Sequence, residues 1–257
     1  MTKFLILFIL LNPCVVFSQT QPAVNLDQKL QFLAGEIKNE TGVDVIYKDW
    51  PGLQRADLRF SFATESDYPT LVAFMELLRQ ELLKYPASFW EKFFIPKIVL
   101  VKKHFFHEKP AEGLFTTKAD VIFLDFSRSR RNAQAQSHNI HHEIFHQIDF
   151  HILGPQMTDD QEWRSLNAPG FVYTPTPETR STPVEKTLDP RIPPVSGFAT
   201  DYATTLVAED KAEIFACLMV PSQNKLIHRW ATKDKILQKK IEAMKKMINE
   251  FCPEMVL

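Results

Sequence analysis

One histidine-rich stretch, residues 137–151, places the strongest constraint on how this 257-residue chain can fold. Its sequence is SHNIHHEIFHQIDFH, and its apolar residues recur at short, regular intervals, at Ile140, Ile144, Phe145 and Ile148. This spacing is typical of a helix with one apolar face, because about 3.6 residues complete one helical turn. We therefore expect a helix that buries this face, with the rest of the chain packed around it.

The same stretch contains the pattern H-E-x-x-H, formed by His142, Glu143 and His146. Residues four positions apart on a helix are offset by about 40° around the axis and about 6 Å along it. His142 and His146 therefore point the same way and can bind one metal ion. Zinc suits this pair because imidazole is a good zinc ligand. Glu143 can then reach a water held by the ion, so the pattern indicates a catalytic zinc site with Glu143 as general base.

A pattern of five residues also arises by chance, and a surface helix rich in histidine is the alternative interpretation. The sequence context favours the metal site, because the segment is helical, has an apolar face to bury and follows a predicted strand at residues 121–126. In a metallopeptidase such a strand can lie along the cleft and hydrogen-bond an extended substrate. We predict that role for residues 121–126.

A catalytic zinc ion usually has three protein ligands, so a third ligand is needed. His138 lies on the same helical face, but the three successive turns up to His146 span about 12 Å, too far for one ion. His138 is therefore expected outside the site or along the cleft. The longer pattern H-E-x-x-H-x-x-G-x-x-H is absent, because Asp149 and Ile152 occupy the positions of its glycine and third histidine.

A glutamate further along the chain is the preferred third ligand. Residues 208–216, AEDKAEIFA, lie on a predicted helix and place Glu209 and Glu213 four positions apart. Both cannot easily bind one ion, so we expect one to bind zinc and the other to hydrogen-bond a histidine ligand. The alternative is that both are charges on a solvated face. Cys217, a further turn along, is too distant to share the ion with Glu209 and is expected to pack.

The two segments together resemble the gluzincin arrangement of zinc metallopeptidases, in which an H-E-x-x-H helix is followed by a helix with a glutamate. The likeness is closer to the anthrax-lethal-factor type and to a group of secreted bacterial zinc-binding metallopeptidases. Those proteins are similar in having H-E-x-x-H-x-x-D, then a tyrosine, then a glutamate seven residues later in E-x-x-A-E-x-F. Here the matching residues are Asp149, Tyr202, Glu209, Ala212, Glu213 and Phe215.

The resemblance assigns roles to individual residues. It implies that Glu209 is the third zinc ligand and that Glu213 hydrogen-bonds a histidine ligand. It also implies that Tyr202 donates a hydrogen bond to the developing oxyanion. A buried core position is the alternative for Tyr202. Asp149 either orients a histidine ligand or caps a helix end.

The resemblance covers residues 138–150 and 198–216, and it implies a secreted zinc endopeptidase that binds one zinc ion per chain and cleaves peptide or protein substrates. Two alternatives stay open. One is a zinc-binding protein that has the peptidase fold without the activity. The other is a zinc amidase with a non-protein substrate such as cell wall. The proline-rich insert between the two segments departs from the family pattern, so substrate preference does not carry over.

The whole chain after residue 18 predicts one α+β domain, residues 19–257. Apolar spacing predicts helices at residues 25–39, 66–83, 200–220 and 233–251, and strands at residues 43–47, 58–62, 95–101 and 121–126. With the resemblance, we expect a zincin-like fold, in which a small mixed sheet packs on the active-site helix and a helical part follows at the C-terminus. Residues 167–194 hold seven of the 17 prolines, so we expect a long loop that is flexible or covers the site.

The N-terminal residues are predicted to be a secretory signal peptide, residues 1–18. Lys3 precedes an apolar run at residues 4–11, and Val16 and Ser18 are small residues suited to a cut after Ser18. A membrane anchor would need about 20 apolar residues, and a proline interrupts this run early. Lipidation of Cys14 is the weaker alternative. The mature protein is thus expected to be secreted or periplasmic, without a membrane span.

Net charge and the remaining cysteines and histidines limit which partners and contacts can be expected. A net charge of −1 gives no reason to expect a nucleic-acid partner. After export, Cys217 and Cys252 can form a disulfide or remain buried thiols. The histidines outside the pattern are expected to be bystanders: His104 and His107 at the surface, and His141 and His151 as structural residues.

Overall fold

The structure is a computed structural model that describes residues 25–50, 58–92, 97–107, 109–110, 113–116, 121–127, 132–174 and 195–257. The predicted signal peptide lies outside the described residues, and so do residues 175–194 of the proline-rich loop. Within the described ranges, every helix is too short or too polar to cross a bilayer.

Six strands form a mixed sheet within the described part of the chain. They are β1 (Asp44–Ile46), β2 (Leu58–Ser61), β3 (Lys97–Phe106), β4 (Lys109–Pro110), β5 (Gly113–Thr116) and β6 (Val121–Asp125). β3 is central, because β1 and β6 pair with its first half in parallel and β2 and β4 pair with its second half antiparallel. β5 pairs antiparallel with β6, which gives the order β1-β3-β6-β5.

The prediction that residues 121–126 line a substrate cleft is wrong. β6 pairs with β3 along one edge and with β5 along the other, so its backbone donors and acceptors are already used. Among the described strands, β5 is the outer strand at this end of the sheet.

The described residues form eight α-helices: α1 (Leu26–Thr41), α2 (Tyr68–Leu82), α3 (Ala87–Lys92), α4 (Ala133–Leu153), α5 (Gln161–Arg164), α6 (Val207–Met219), α7 (Pro221–Ala231) and α8 (Lys235–Phe251). The helices predicted at residues 25–39, 66–83 and 233–251 are confirmed. The segment predicted as one helix at residues 200–220 is a 3-10 turn at Tyr202–Thr204 followed by α6. α3, α5 and α7 were not predicted, and α7 starts at a proline, which is well tolerated at the first helical position.

α4 contains the histidine-rich stretch and is the central helix of the fold. The side chain of Asn132 accepts hydrogen bonds from the backbone N–H groups of Gln134 and Ala135, which caps its first turn. The helix contacts β5 and β6 on the sheet and packs against α2 and α6. The rings of Phe145 on α4 and Phe215 on α6 lie 5.0 Å apart at the centre of this packing. α4 is therefore buried on several sides rather than along one stripe.

The two faces of the sheet bury different clusters, because side chains alternate along a strand. Ile98, Leu100, Ile122 and Leu124 join the main core with the helices. Val99, Val101, Val121 and Phe123 form a second cluster on the opposite face.

Two sequence predictions outside the helices are settled by burial. β3 continues to Phe106, so His104 is buried with its ring stacked on Phe123, and the prediction of a surface position is wrong. His107 is exposed, as predicted. Cys217 and Cys252 are both free, buried thiols, so of the two alternatives the disulfide does not form.

Two lysines are fully buried near α6, and each is paired with an aspartate. Lys211 Nζ lies 2.7 Å from Asp149 Oδ1 on α4, and Lys240 Nζ lies 2.7 Å from Asp210 Oδ2. Asp210 also accepts hydrogen bonds from the Tyr173 hydroxyl and the Trp163 indole, at 2.7 and 2.9 Å. The pair between Lys240 and Asp210 therefore fastens α8 to α6.

We predict that Lys240→Met lowers the free energy of unfolding by about 3–5 kcal/mol, because it leaves the buried charge of Asp210 without its cation. Urea unfolding of the purified protein measures this change. Lys246→Met is the matched control on the same helix, since Lys246 is exposed and pairs only distantly with Glu250. Equal stability of the two variants would contradict a stabilising role for the buried pair.

Candidate metal centre

The side chains of His142 and His146 on α4 meet that of Glu209 on the first turn of α6. The two Nε2 atoms lie 3.0 Å apart. Glu209 Oε2 lies 3.0 Å from His142 Nε2 and 3.3 Å from His146 Nε2. The packing of α4 against α6 thus brings together the three residues that were predicted as zinc ligands, in a group that could hold a metal ion.

The spacing of these three atoms fits a metal ion. Ligand atoms bound about 2.0–2.1 Å from a tetrahedral zinc ion lie about 3.3 Å from one another. Glu209 Oε2 is buried and makes no well-directed hydrogen bond, although two ring nitrogens lie within 3.3 Å of it. The three atoms therefore converge on a common centre, where the two Nε2 atoms also lie within hydrogen-bonding distance of each other.

The charges around this group favour a cation. Burial alone would lower the pKa of His142, but Glu209 and Glu213 outweigh it and raise that pKa well above its usual value. Burial would raise the pKa of Glu209, but His146 and His142 hold it well below its usual range. Glu209 is thus an ionised carboxylate, and the same two carboxylates that attract a proton to His142 attract a metal ion.

The group keeps an opening to solvent. The side chains of His142, His146 and Glu209 are 8%, 11% and 15% exposed. A catalytic zinc site needs such an opening, because its fourth position takes water or substrate.

A second group of potential ligands shares His142 but has a different character. Glu213 Oε1 accepts from His142 Nδ1 at 2.8 Å and from His138 Nε2 at 3.1 Å. His138 Nδ1 in turn lies 2.7 Å from Gln223 Oε1. The side chains of His138 and Glu213 are 0% and 1% exposed. These residues also could hold an ion, but Glu213 Oε1 already accepts from both rings and the group is enclosed, while Glu213 Oε2 has no hydrogen-bond partner among the described residues.

His138 is therefore more than a bystander. Burial lowers its pKa, but the charge of Glu213 and hydrogen bonds to Cys217 and Glu213 outweigh burial and raise it to about 10. A positively charged His138 balances the buried Glu213, which orients the ring of His142. The helical spacing placed His138 on the right face. It could not reveal Glu213 or Gln223 as partners, because they come from other helices.

The predicted catalytic residues lie beside the first group. Glu143 is nearly buried and its side chain lies against Gly113 on β5. The ring centroid of Tyr202 lies 6.0 Å from that of His142. Burial and the charges of Glu209, Glu143 and Glu213 raise the pKa of Tyr202 well above its usual value, so the hydroxyl stays protonated.

Asp149 lies inside α4, so the alternative that it caps a helix end is wrong. Its Oδ1 accepts from Lys211, whereas its Oδ2 has no hydrogen-bond partner among the described residues. His146 Nδ1, one turn earlier on the same helix, also has none. Burial raises the pKa of Asp149 above its usual value, and the positive charges of Lys211 and His146 offset part of that rise.

The other two histidines of α4 lie away from the group. His141 is buried between the Tyr85 hydroxyl and the carboxylate of Glu81, each at 2.7 Å, so it is structural as predicted. His151 is exposed near the end of α4 and contacts the ring of Phe251.

Two matched pairs of variants separate the two groups. His146→Ala and Glu209→Ala each remove a ligand, and we expect both to lose stoichiometric zinc. His138→Ala and Glu213→Ala remove only hydrogen bonds behind the ligands, and we expect zinc affinity to fall about 10–100-fold. Competition with a chromophoric chelator measures both. Zinc that persists in His146→Ala and is lost in His138→Ala would place the ion in the second group.

Comparison with known proteins gives a fold-level relationship. No protein-family profile and no curated protein matches the sequence. The fold is similar to the crystal structure of a "putative zinc-binding metallo-peptidase" from Bacteroides caccae, with a TM-score of 0.53 and 17% sequence identity. The similarity covers 90% of this chain and 88% of the other. At this identity it shows the fold alone, and the chain has the predicted α+β, metallopeptidase-like fold.

Proposed function

We propose that this chain is a zinc-dependent metallopeptidase of the gluzincin arrangement, with His142, His146 and Glu209 as the zinc ligands. The observation that carries the proposal is the convergence of three ligand atoms, 3.0–3.3 Å apart, on side chains that are 8–15% exposed. The ion, when bound, supplies Lewis acidity and lowers the pKa of water at the site.

The protein's own residues then handle the proton. Glu143 follows His142 on the helix and would take the proton of the attacking water and return it to the leaving amine. Glu213 accepts from His142 Nδ1 and so keeps Nε2 free to bind the ion. Asp149, one turn after His146, acts on that second ligand through its charge and without a direct hydrogen bond.

Tyr202 completes the proposed machinery as a hydrogen-bond donor. Its raised pKa keeps the O–H group protonated at neutral pH, so the hydroxyl can donate to the oxyanion that develops on the scissile carbonyl. This role needs a hydroxyl near the ligands, and the position of the Tyr202 ring, 6.0 Å from the ring of His142, supports it.

An extended peptide would bind along β5. Among the described strands it is the outer one at its end of the sheet, and it contacts α4, which carries His142 and Glu143. A substrate strand added to β5 would be held by backbone hydrogen bonds and would pass close to the opening of the site. Peptides are therefore favoured over the cell-wall amides that a zinc amidase would cleave.

Export is part of the same proposal. It is supported by the apolar run at residues 4–11 and the small residues before position 19. N-terminal sequencing of the exported protein should begin at Gln19. A mature protein that begins at Met1 would contradict it, and one that begins at a lipidated Cys14 would favour the lipoprotein alternative.

We predict that Glu143→Gln keeps stoichiometric zinc and lowers kcat about 10²–10⁴-fold, because the amide cannot accept the proton. The assay is cleavage of a fluorogenic peptide library, with bound zinc measured on the same sample. Glu162→Gln is the control, since Glu162 is an exposed glutamate. In the same assay, Tyr202→Phe should lower kcat about 10²-fold with KM little changed.

Three outcomes would contradict the proposal. A wild-type protein that binds no zinc would contradict the assignment of His142, His146 and Glu209 as zinc ligands. Bound zinc without cleavage of any peptide would favour a binding protein. Cleavage of peptidoglycan fragments in place of peptides would favour the amidase.

A further inference from the structure

Gly113, the first residue of β5, lies directly against the side chain of Glu143. A Cβ atom at this position would lie 2.4 Å from Glu143 Oε1, 2.5 Å from Cγ and 2.7 Å from Cδ. Optimal contact between non-bonded carbon atoms is at about 3.5–4.0 Å. No residue other than glycine fits at position 113 while Glu143 holds this conformation.

The register of the sheet explains why position 113 faces α4. Gly113 is paired with Leu124, and Leu114 with Phe123. Leu124 belongs to the main core with the helices, and Phe123 to the cluster on the opposite face. Because paired residues point to the same face of a sheet, the missing side chain of Gly113 leaves a gap on the α4 side.

The backbone does not need glycine at this position. Gly42, Gly154, Gly170 and Gly197 have positive φ angles, which other residues rarely adopt, and Gly113 is not among them. The absence of a side chain, rather than backbone freedom, is what matters at Gly113.

The group that must give way is the carboxylate itself. The atoms closest to the added Cβ all belong to the Glu143 side chain, from Cγ outward, and none belongs to the backbone, so Glu143 must turn about its Cα–Cβ bond to relieve the overlap. A larger residue at position 113 is therefore expected to displace Glu143 more than it lowers the free energy of unfolding.

We propose that Gly113 is a positioning residue for catalysis, whose missing side chain lets the Glu143 carboxylate lie against β5, the strand that would bind the substrate. This inference rests on the proposed function, because it assigns the role of base to Glu143. The contact sets the distance between the base and the strand along which the peptide lies. A side chain at position 113 displaces the base while the zinc ligands stay in place.

The first test is Gly113→Ala in the zinc-loaded protein, assayed on a peptide that the wild-type protein cleaves. A displacement of about 1 Å at a catalytic group can cost about 10²-fold in rate, so kcat should fall by about that factor with KM and bound zinc unchanged. Gly35→Ala on α1 is the control, because a Cβ at Gly35 meets nothing within 4 Å. A rise in KM with unchanged kcat would overturn the inference, since it would mean that residue 113 acts on the substrate.

A double-mutant cycle with Glu143→Ala identifies the partner. Alanine has neither the Cγ atom nor the carboxylate that a Cβ atom at position 113 would overlap. If residue 113 acts through Glu143, any fall in Tm caused by Gly113→Ala disappears in the Glu143→Ala background. An equal fall in Tm in both backgrounds would overturn the inference.

Crystal structures of Gly113→Ala and wild type, each without zinc, provide a readout that does not depend on activity. The expected result is a Glu143 carboxylate displaced by about 1 Å, with His142 and His146 unmoved. An unmoved carboxylate beside a shifted β5 would overturn the inference. If the wild type cleaves no peptide, the proposed function fails, and these structures still decide whether Gly113 positions Glu143.

Discussion

The packing of α4 against α6 is the interaction on which the candidate site depends, because the two helices supply all three converging ligand atoms. Apolar contact between Phe145 and Phe215 and the buried pair of Asp149 and Lys211 join the same two helices. A shift of one residue along a helix moves a side chain by about 1.5 Å and rotates it by about 100°. Such a shift would carry Glu209 away from the histidines, so the buried pair that fixes the register of this interface also fixes the site.

The interface places one histidine ring between two carboxylates. Glu209 lies at Nε2 of His142 and Glu213 at Nδ1, at 3.0 and 2.8 Å. The two glutamates occupy successive turns of α6, yet their surroundings differ. Glu209 lies at the opening, whereas Glu213 is enclosed with His138 as its counter-charge. Because their surroundings differ, Glu209 is suited to bind a cation, and Glu213 is suited to orient the histidine that binds it.

Helical geometry is local, which is why the sequence alone predicts that His142 and His146 share a face. The two glutamates were also predicted as a pair, but spacing could not decide between them, because that depends on how α6 faces α4. The interior position of β6 could not be predicted for the same reason, since an apolar run does not reveal its neighbours. Gly113 carries no local signal at all, and strand pairing alone brings it to Glu143. Tertiary contacts, rather than residue types, decided each of these points.

The most direct test of the central claim is the position of the metal itself, by anomalous diffraction from zinc-loaded crystals at the zinc absorption edge. The account predicts one strong peak per chain, bound by His142 Nε2, His146 Nε2 and a carboxylate oxygen of Glu209 at about 2.0–2.1 Å. A peak between His138, His142 Nδ1 and Glu213, or no peak at either group, would contradict it.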